Sequence, residues 1–367
     1  LVRRILRTPD LVCEFHEVGE VSKTDIAIMY IEGIANKRLV DEVRRRVDSI
    51  RSGYVTGTEM LDQLIDEPRF SLIPSTLSTE RPDRFASHLA EGYVGIIADH
   101  SPFAAIVPGT IMSYVNHPED FYIRWPYGAF IRLLRIVGAV FAMLVSATYV
   151  AAINYHPEML PSNLLLTIAA TREAVPIPLV VEVVGAEVAF DFIREAGVRV
   201  PSPMGPTIGI VGALLVGEAA VKASLLTPEV VIIAAISGIA LFAVPNQEAA
   251  FVIRLTRFAY IFAASIMGFV GLATALYLKL LYLCSIRNFG VPFMAPFAPK
   301  SAAGFDLLVR GPLWRMEERP GFLRPEKELR QPPVARRWLF GLPGFRRAAI
   351  AAGLRRKAGR REPRGDA

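Results

Sequence analysis

Ile136-Val-Gly-Ala-Val-Phe-Ala-Met-Leu-Val-Ser-Ala-Thr-Tyr-Val-Ala-Ala-Ile153 and Phe258-Ala-Tyr-Ile-Phe-Ala-Ala-Ser-Ile-Met-Gly-Phe-Val-Gly-Leu-Ala-Thr-Ala-Leu-Tyr-Leu278 are uncharged runs of 18 and 21 residues. A helix needs about 20 apolar residues, at about 1.5 Å each, to cross a bilayer core of about 30 Å, so both runs read as spans. They sit in a hydrophobic block from about residue 129 to about 286. The 367-residue chain has a mean hydropathy of +0.37 and 52% apolar residues beside 21% charged. That composition suits a soluble protein only if the apolar residues are not clustered, and here they are.

Four spans are expected in residues 129–286, over 133–153, 206–226, 229–245 and 258–284. Between the first two lies 159–200, apolar yet carrying Arg172, Glu173, Glu182, Glu187, Asp191, Arg194, Glu195 and Arg199, with Pro176, Pro178 and Pro201 among them. Each charge costs about 2.5–3.5 kcal/mol at the centre of a lipid-facing helix on insertion scales. The stretch is therefore expected to be amphipathic, re-entrant or lining a wet cavity, and not to cross fully. Gly209, Gly212 and Gly217 suit close helix packing in 206–226. Arg132 and Arg135 at the entrance of the first span place the N-terminal side in the cytoplasm, and a basic tail on that side requires an even number of spans. Four spans satisfy this, though Arg254 and Arg257 then fall on the outer side.

Residues 1–128 read as a soluble α/β domain. Asp25-Ile-Ala-Ile-Met-Tyr-Ile31 has the short apolar run of a buried strand, and Asn36 caps a helix through Ile50 with Leu39, Val43 and Val47 on one face. Gly92–Ala98 and Phe103–Val107 read as a strand pair joined at Asp99-His-Ser-Pro102, giving a small mixed sheet with helices. The chain starts at Leu1 rather than Met, so missing N-terminal residues are expected. Residues 287–367 are expected to form a basic, largely disordered cytoplasmic tail, most clearly over 355–364. The fold class is thus an α-helical polytopic membrane domain with an N-terminal soluble α/β domain and that tail. Net charges of −5, 0 and +11 for 1–128, 129–286 and 287–367 make the overall +6 a property of the tail. It suits the cytoplasmic face of a bilayer and does not point to nucleic acid. Cys13 and Cys284 make neither a disulfide framework nor a Cys-based metal site.

Catalytic motifs are absent: no phosphate loop, no His-Glu-x-x-His, no Gly-x-Ser-x-Gly. His16, His88, His100, His117 and His156 are scattered singly. No catalytic residue, metal or cofactor is expected, and an enzyme is the least favoured class. The charges at membrane depth are the informative feature. One reading makes Arg172 with Glu173, Arg194 with Glu195, and Glu218 with Lys222 local ion pairs near headgroups. The other turns Glu182, Glu187 and Asp191 toward a pore, since spacings of five and four residues put successive members about 140° and 40° apart around a helix. In a ring of subunits that face would attract cations.

Several motifs, taken in order, resemble the A-subunit family of GerA-type spore germination receptors, which includes stage V sporulation protein AF. In the soluble part they are Thr79-Glu-Arg-Pro-Asp83, Glu91-Gly92, Asp99-His-Ser-Pro102 with Val107-Pro108, and Pro118-Glu-Asp-Phe-Tyr122. In the membrane part they are His156-Pro-Glu-Met-Leu-Pro161, Arg172-Glu-Ala-Val-Pro-Ile-Pro178, Arg194-Glu-Ala-Gly-Val-Arg-Val-Pro201, Ile210-Val-Gly-Ala-Leu-Leu-Val-Gly217 and Pro245-Asn246. Phe289-Gly-Val-Pro292 and Ala295-Pro-Phe-Ala-Pro299 complete the set. The chain departs at His100, where the family pattern has Gly, and the residues do not separate a receptor A subunit from the AF type.

The resemblance implies an inner spore membrane protein that forms homo-oligomers, with a pentamer as the expected ring, and a cation channel opened by nutrients. It also implies partners among the other membrane subunits of the germination complex. Two alternatives from other classes are a non-conducting signalling scaffold and, behind it, a secondary transporter, for which the repeat symmetry is missing.

Overall fold

The computed structural model of the protein describes residues 1–67, 71–199, 217–301 and 309–331. After a short α1 (Val2–Ile5), β1 (Leu11–Val18) and β2 (Thr24–Ile31) pair and lead into α2 (Lys37–Asp48) and α3 (Thr58–Ile65). Then follow β3 (Leu77–Thr79), α4 (Pro82–Glu91), β4 (Val94–Ala98), β5 (Ala104–Val107) and α5 (Ile111–Val115). The strand order is β1-β2-β4-β5-β3 and every neighbouring pair is antiparallel, so the expected mixed sheet is corrected to a fully antiparallel one. The three central strands are covered on both faces. Ile26, Ile28, Val94 and Ile96 pack with Leu39, Val43 and Val47 of α2 and Leu61 of α3. Met29, Ile31 and Ile106 pack with Phe85 and Leu89 of α4. Burial on both sides explains why β2 reads as a continuous apolar run rather than an alternating one.

Local chemistry sets the ends of these elements. The Asn36 side chain accepts from the Arg38 amide at 3.0 Å and caps α2. His100 takes φ 65° in the β4–β5 turn, and its amide donates to Asp99 Oδ1 at 3.0 Å. A left-handed residue there costs a non-glycine roughly 1–2 kcal/mol, which accounts for glycine in the family pattern. Gly95 lets α4 close onto the sheet, because a Cβ there would lie 2.0 Å from the Phe85 ring.

Beyond the domain come α6 (Trp125–Tyr155), α7 (Ser162–Glu173), α8 (Leu179–Arg199), α9 (Pro228–Leu241) and α10 (Gln247–Ser285). The first expected span lies within α6 and the third largely within α9. Most of the second, 206–226, lies outside the described residues. The segment 159–200, expected not to cross fully, forms α7 and a 21-residue α8, about 31 Å long. α9 runs antiparallel to α6, with Val230 in one cluster with Val150 and Ser237 Oγ donating to the Ala142 carbonyl at 3.2 Å.

The expected single span 258–284 is corrected: α10 folds back on itself. Met267 (φ −134°, ψ 17°) and Gly268 (φ 59°, ψ −138°) leave helical geometry, and Lys279 Nζ lies 3.4 Å from Thr256 Oγ1. In a straight helix 23 residues would separate them by about 35 Å. The arms 247–266 and 269–285 are therefore antiparallel neighbours. At the tip, the Tyr155 hydroxyl donates to the carbonyls of Ser265 and Ile266 at 2.8 and 2.7 Å, capping the first arm.

The second arm returns the chain to the domain, where β6 (Arg287–Asn288) and β7 (Val291–Pro292) form a small hairpin. Phe289 enters the core under α2, Phe293 enters the one around α4, and Asn288 Nδ2 donates to the Gly109 carbonyl at 2.7 Å. Further on, Arg319 donates to the Ala90 carbonyl at 2.9 Å, and Leu323 is buried. The described part of 287–367 is thus a strap on the α/β domain rather than a free tail. Domain and bundle are joined at Asp120, 1% exposed, which accepts from Arg132 Nε at 3.3 Å and Arg135 Nη2 at 3.1 Å. Arg310 of the strap donates to the Asp120 and Ile123 carbonyls. Arg132 and Arg135, read as markers of the cytoplasmic side, are partners of a buried carboxylate.

With Cys13 and Cys284 replaced by Ser, Thr256→Cys combined with Lys279→Cys should be cross-linked within one chain by a short bismaleimide, seen as a gel-mobility shift at high dilution. A straight α10 would give no cross-link although both thiols alkylate.

Candidate functional site

Three of the four acidic residues of α8, Glu182, Glu187 and Asp191, lie inside the chain's own bundle. Glu187 is 0% exposed and Glu182 2%, while Asp191 is partly open. Two arginines one turn apart on the first arm of α10 face them. Arg257 Nη1 lies 2.7 Å from Glu187 Oε2, and Arg257 Nη2 donates to Asp191 Oδ2 at 3.1 Å. Arg254 Nε lies 3.3 Å from Asp191 Oδ1. Ser146 of α6 donates to Glu187, and Arg257 Nη1 donates to Ser237 Oγ of α9 at 2.8 Å. Four helices thus meet at one cluster of two acids and two bases with zero net charge. Glu182, a turn and a half earlier on α8, accepts instead from the Thr227 amide at the start of α9. That carboxylate caps α9, where the positive end of the helix dipole favours it.

Of the expected ion pairs, Lys222 donates to Glu218 at 2.6 Å on an exposed face. No ion pair joins Arg172 to Glu173, and Arg194 lies over the Phe242 ring at 4.7 Å rather than against Glu195. Adjacent helix residues point about 100° apart, so i,i+1 neighbours are poorly placed to pair. Sequence reasoning missed Arg254, Arg257, Ser146 and Ser237 as members of the site. The readable signal was the matched spacing: two arginines three apart and two carboxylates four apart, each on one helix face. Among the described residues no group of three or more His, Cys, Asp or Glu is placed to hold a metal.

Removing one partner of a buried ion pair strands the other at a cost of about 3–5 kcal/mol. Arg257→Gln should therefore lower the melting temperature of the purified chain sharply. Arg257→Gln with Glu187→Gln should recover most of the loss, because Asp191 keeps Arg254. Equal melting of the wild type and the single variant would refute the coupling.

A family model described as Bacillus/Clostridium GerA spore germination protein matches residues 1–322. Over 332 residues the chain is 42% identical to spore germination protein KA of Bacillus subtilis (strain 168), covering 90% of this chain and 61% of that protein. It is 36% identical over 322 residues to the uncharacterized membrane protein YfkQ of the same organism, covering 88% and 63%. Among solved structures, the N-terminal domain of the A subunit of the Bacillus megaterium spore germinant receptor GerK3 is 43% identical, covering 29% of this chain and 83% of that one with a TM-score of 0.23. The chain spans less than two thirds of the length of KA and YfkQ. On the family match over residues 1–322, the chain belongs to the GerA family of spore germination proteins.

Proposed function

We propose that this chain is the membrane subunit of a spore germinant receptor or a related germination complex, with its helical bundle in the inner spore membrane and both the α/β domain and the C-terminal strap in the cytoplasm. The germination role follows from the family, and the membrane reading from the bundle's surface. Only 28% of the apolar windows of α6 and α10 is covered by protein. Phe130, Leu134 and Phe141 of α6 and Phe251, Phe262 and Ile266 of α10 all face outward. A core helix of a soluble protein would be mostly buried.

Among the described residues, five helical segments run along the bundle. α6 leads away from the domain, α8 and α9 both run back toward it, and the arms of α10 go out and return. The α/β domain and the strap lie together at one end of the bundle, and Arg254 and Arg257 need no longer be read as misplaced outer charges, since α8 neutralises them.

The observation that carries the finer reading is the buried cluster on α8, because ionisable groups at bilayer depth persist where they serve an ion path or each other. In the leading reading, copies of the chain, expected as a pentamer, form a cation channel in which Glu182, Glu187 and Asp191 line the path once Arg254 and Arg257 release Glu187 and Asp191 and the Thr227 amide releases Glu182. The pairing itself favours a second reading, a non-conducting scaffold that relays a signal to partner subunits.

Glu182→Gln, Glu187→Gln and Asp191→Asn together should reduce monovalent cation release from germinating spores several-fold at equal protein level. The purified chain in liposomes should pass monovalent cations. Unchanged release in the triple variant, with no liposome flux, would remove the channel and leave the scaffold.

A further inference from the structure

A second site lies outside the bundle, in a cavity of about 360 Å³ between α4, the 3₁₀ turn at Pro118–Phe121 and the C-terminal strap. Its floor holds Arg84, 7% exposed. Only Nη2 of this guanidinium is bonded, to the Ser113 and Asn116 carbonyls at 2.9 and 3.3 Å, and Nε is buried without an acceptor. No carboxylate pairs with Arg84 among the described residues. Of the acids on the wall, Asp83 is engaged by Arg81 at 2.9 Å and Glu91 by Arg330 at 3.0 Å, and Glu318 of the strap completes the set. His88 supplies no second cation, since burial pushes it down to about 4. Beside the guanidinium, Asn116 Oδ1 is buried and also lacks a donor. Tyr93, Phe121 and Phe322 form apolar walls.

A buried guanidinium with no carboxylate in contact, Glu248 acting on it only at longer range, and a buried amide oxygen without a donor each cost free energy that a matching ligand would restore. Arginine's planar fork suits a carboxylate in particular. We propose that this cavity binds a small organic carboxylate bearing an O–H or N–H donor beside its carboxyl group, with Arg84 taking the carboxylate, Asn116 Oδ1 the donor, and the aromatic walls an apolar body. Because the strap supplies Phe322 and Arg330, occupancy would hold the strap to α4. The assignment does not depend on whether the bundle conducts ions.

Mandelate, which has a hydroxyl next to its carboxylate, serves as the probe, titrated calorimetrically into the full detergent-solubilised chain. Mandelate should bind at least tenfold more tightly than neutral mandelamide and severalfold more tightly than phenylacetate, which lacks the hydroxyl. Arg84→Gln should abolish binding, but that variant also loses the bonds to the Ser113 and Asn116 carbonyls. Asn116→Asp avoids this, since it supplies the missing anion internally: it should weaken mandelate at least tenfold and melt higher than the wild type. Equal affinity for mandelate and mandelamide, undiminished binding to the Asn116→Asp variant, or no saturable binding at millimolar concentration would overturn the assignment.

Discussion

A guanidinium 2% exposed inside an apolar bundle must be given acceptors or it will not stay there, and Arg257 is the residue around which this bundle closes. Its partners come from α8 and α9, and through Glu187 from α6. Apolar packing alone positions helices loosely, because many rotations bury similar area and lipid offers no hydrophobic drive between helices. A fork of fixed geometry that must reach two carboxylates and a hydroxyl admits few arrangements. The glycines act with it: Gly238 leaves room for Phe190 of α8 beside the cluster, and Gly138 lets α6 approach Ala243 just beyond α9.

The same rule operates where the bundle meets the domain. Asp120 is nearly inaccessible and is held by Arg132 and Arg135, while Arg310 clamps the backbone around it. Three segments distant in sequence are thereby fixed to one another: the end of the α/β domain, the first turns of α6, and the strap. Any change in the tilt of α6 must therefore be felt by the domain and the strap. Such a rigid joint is what the chain needs if changes in the bundle and in the α/β domain are to be coupled.

Much of the architecture was legible in the sequence. The strands around Ile28, Ile96 and Ile106, the Asn36 cap and the two long apolar runs follow from periodicity, turn chemistry and length, which are local properties. β1 was missed because it is an edge strand of mixed composition, with Phe15 74% exposed. The strap was misread because proline and arginine mark disorder statistically, whereas Arg310 and Arg319 are ordered by carbonyls and Phe289 and Phe293 by cores around α2 and α4, more than 200 residues away.

The sequence by itself determined that two runs are long and apolar enough to cross a bilayer, that an α/β domain precedes them, and which family the chain resembles. It also singled out Glu182, Glu187 and Asp191. Only the tertiary structure decided what those carboxylates face, that the longest apolar run turns back at Gly268, and that Arg84 has no carboxylate in contact. The reason is physical: hydropathy and periodicity report what a segment can do against an averaged environment. The partner of a charge, and the direction of the chain after a glycine with positive φ, are set by groups far away in sequence.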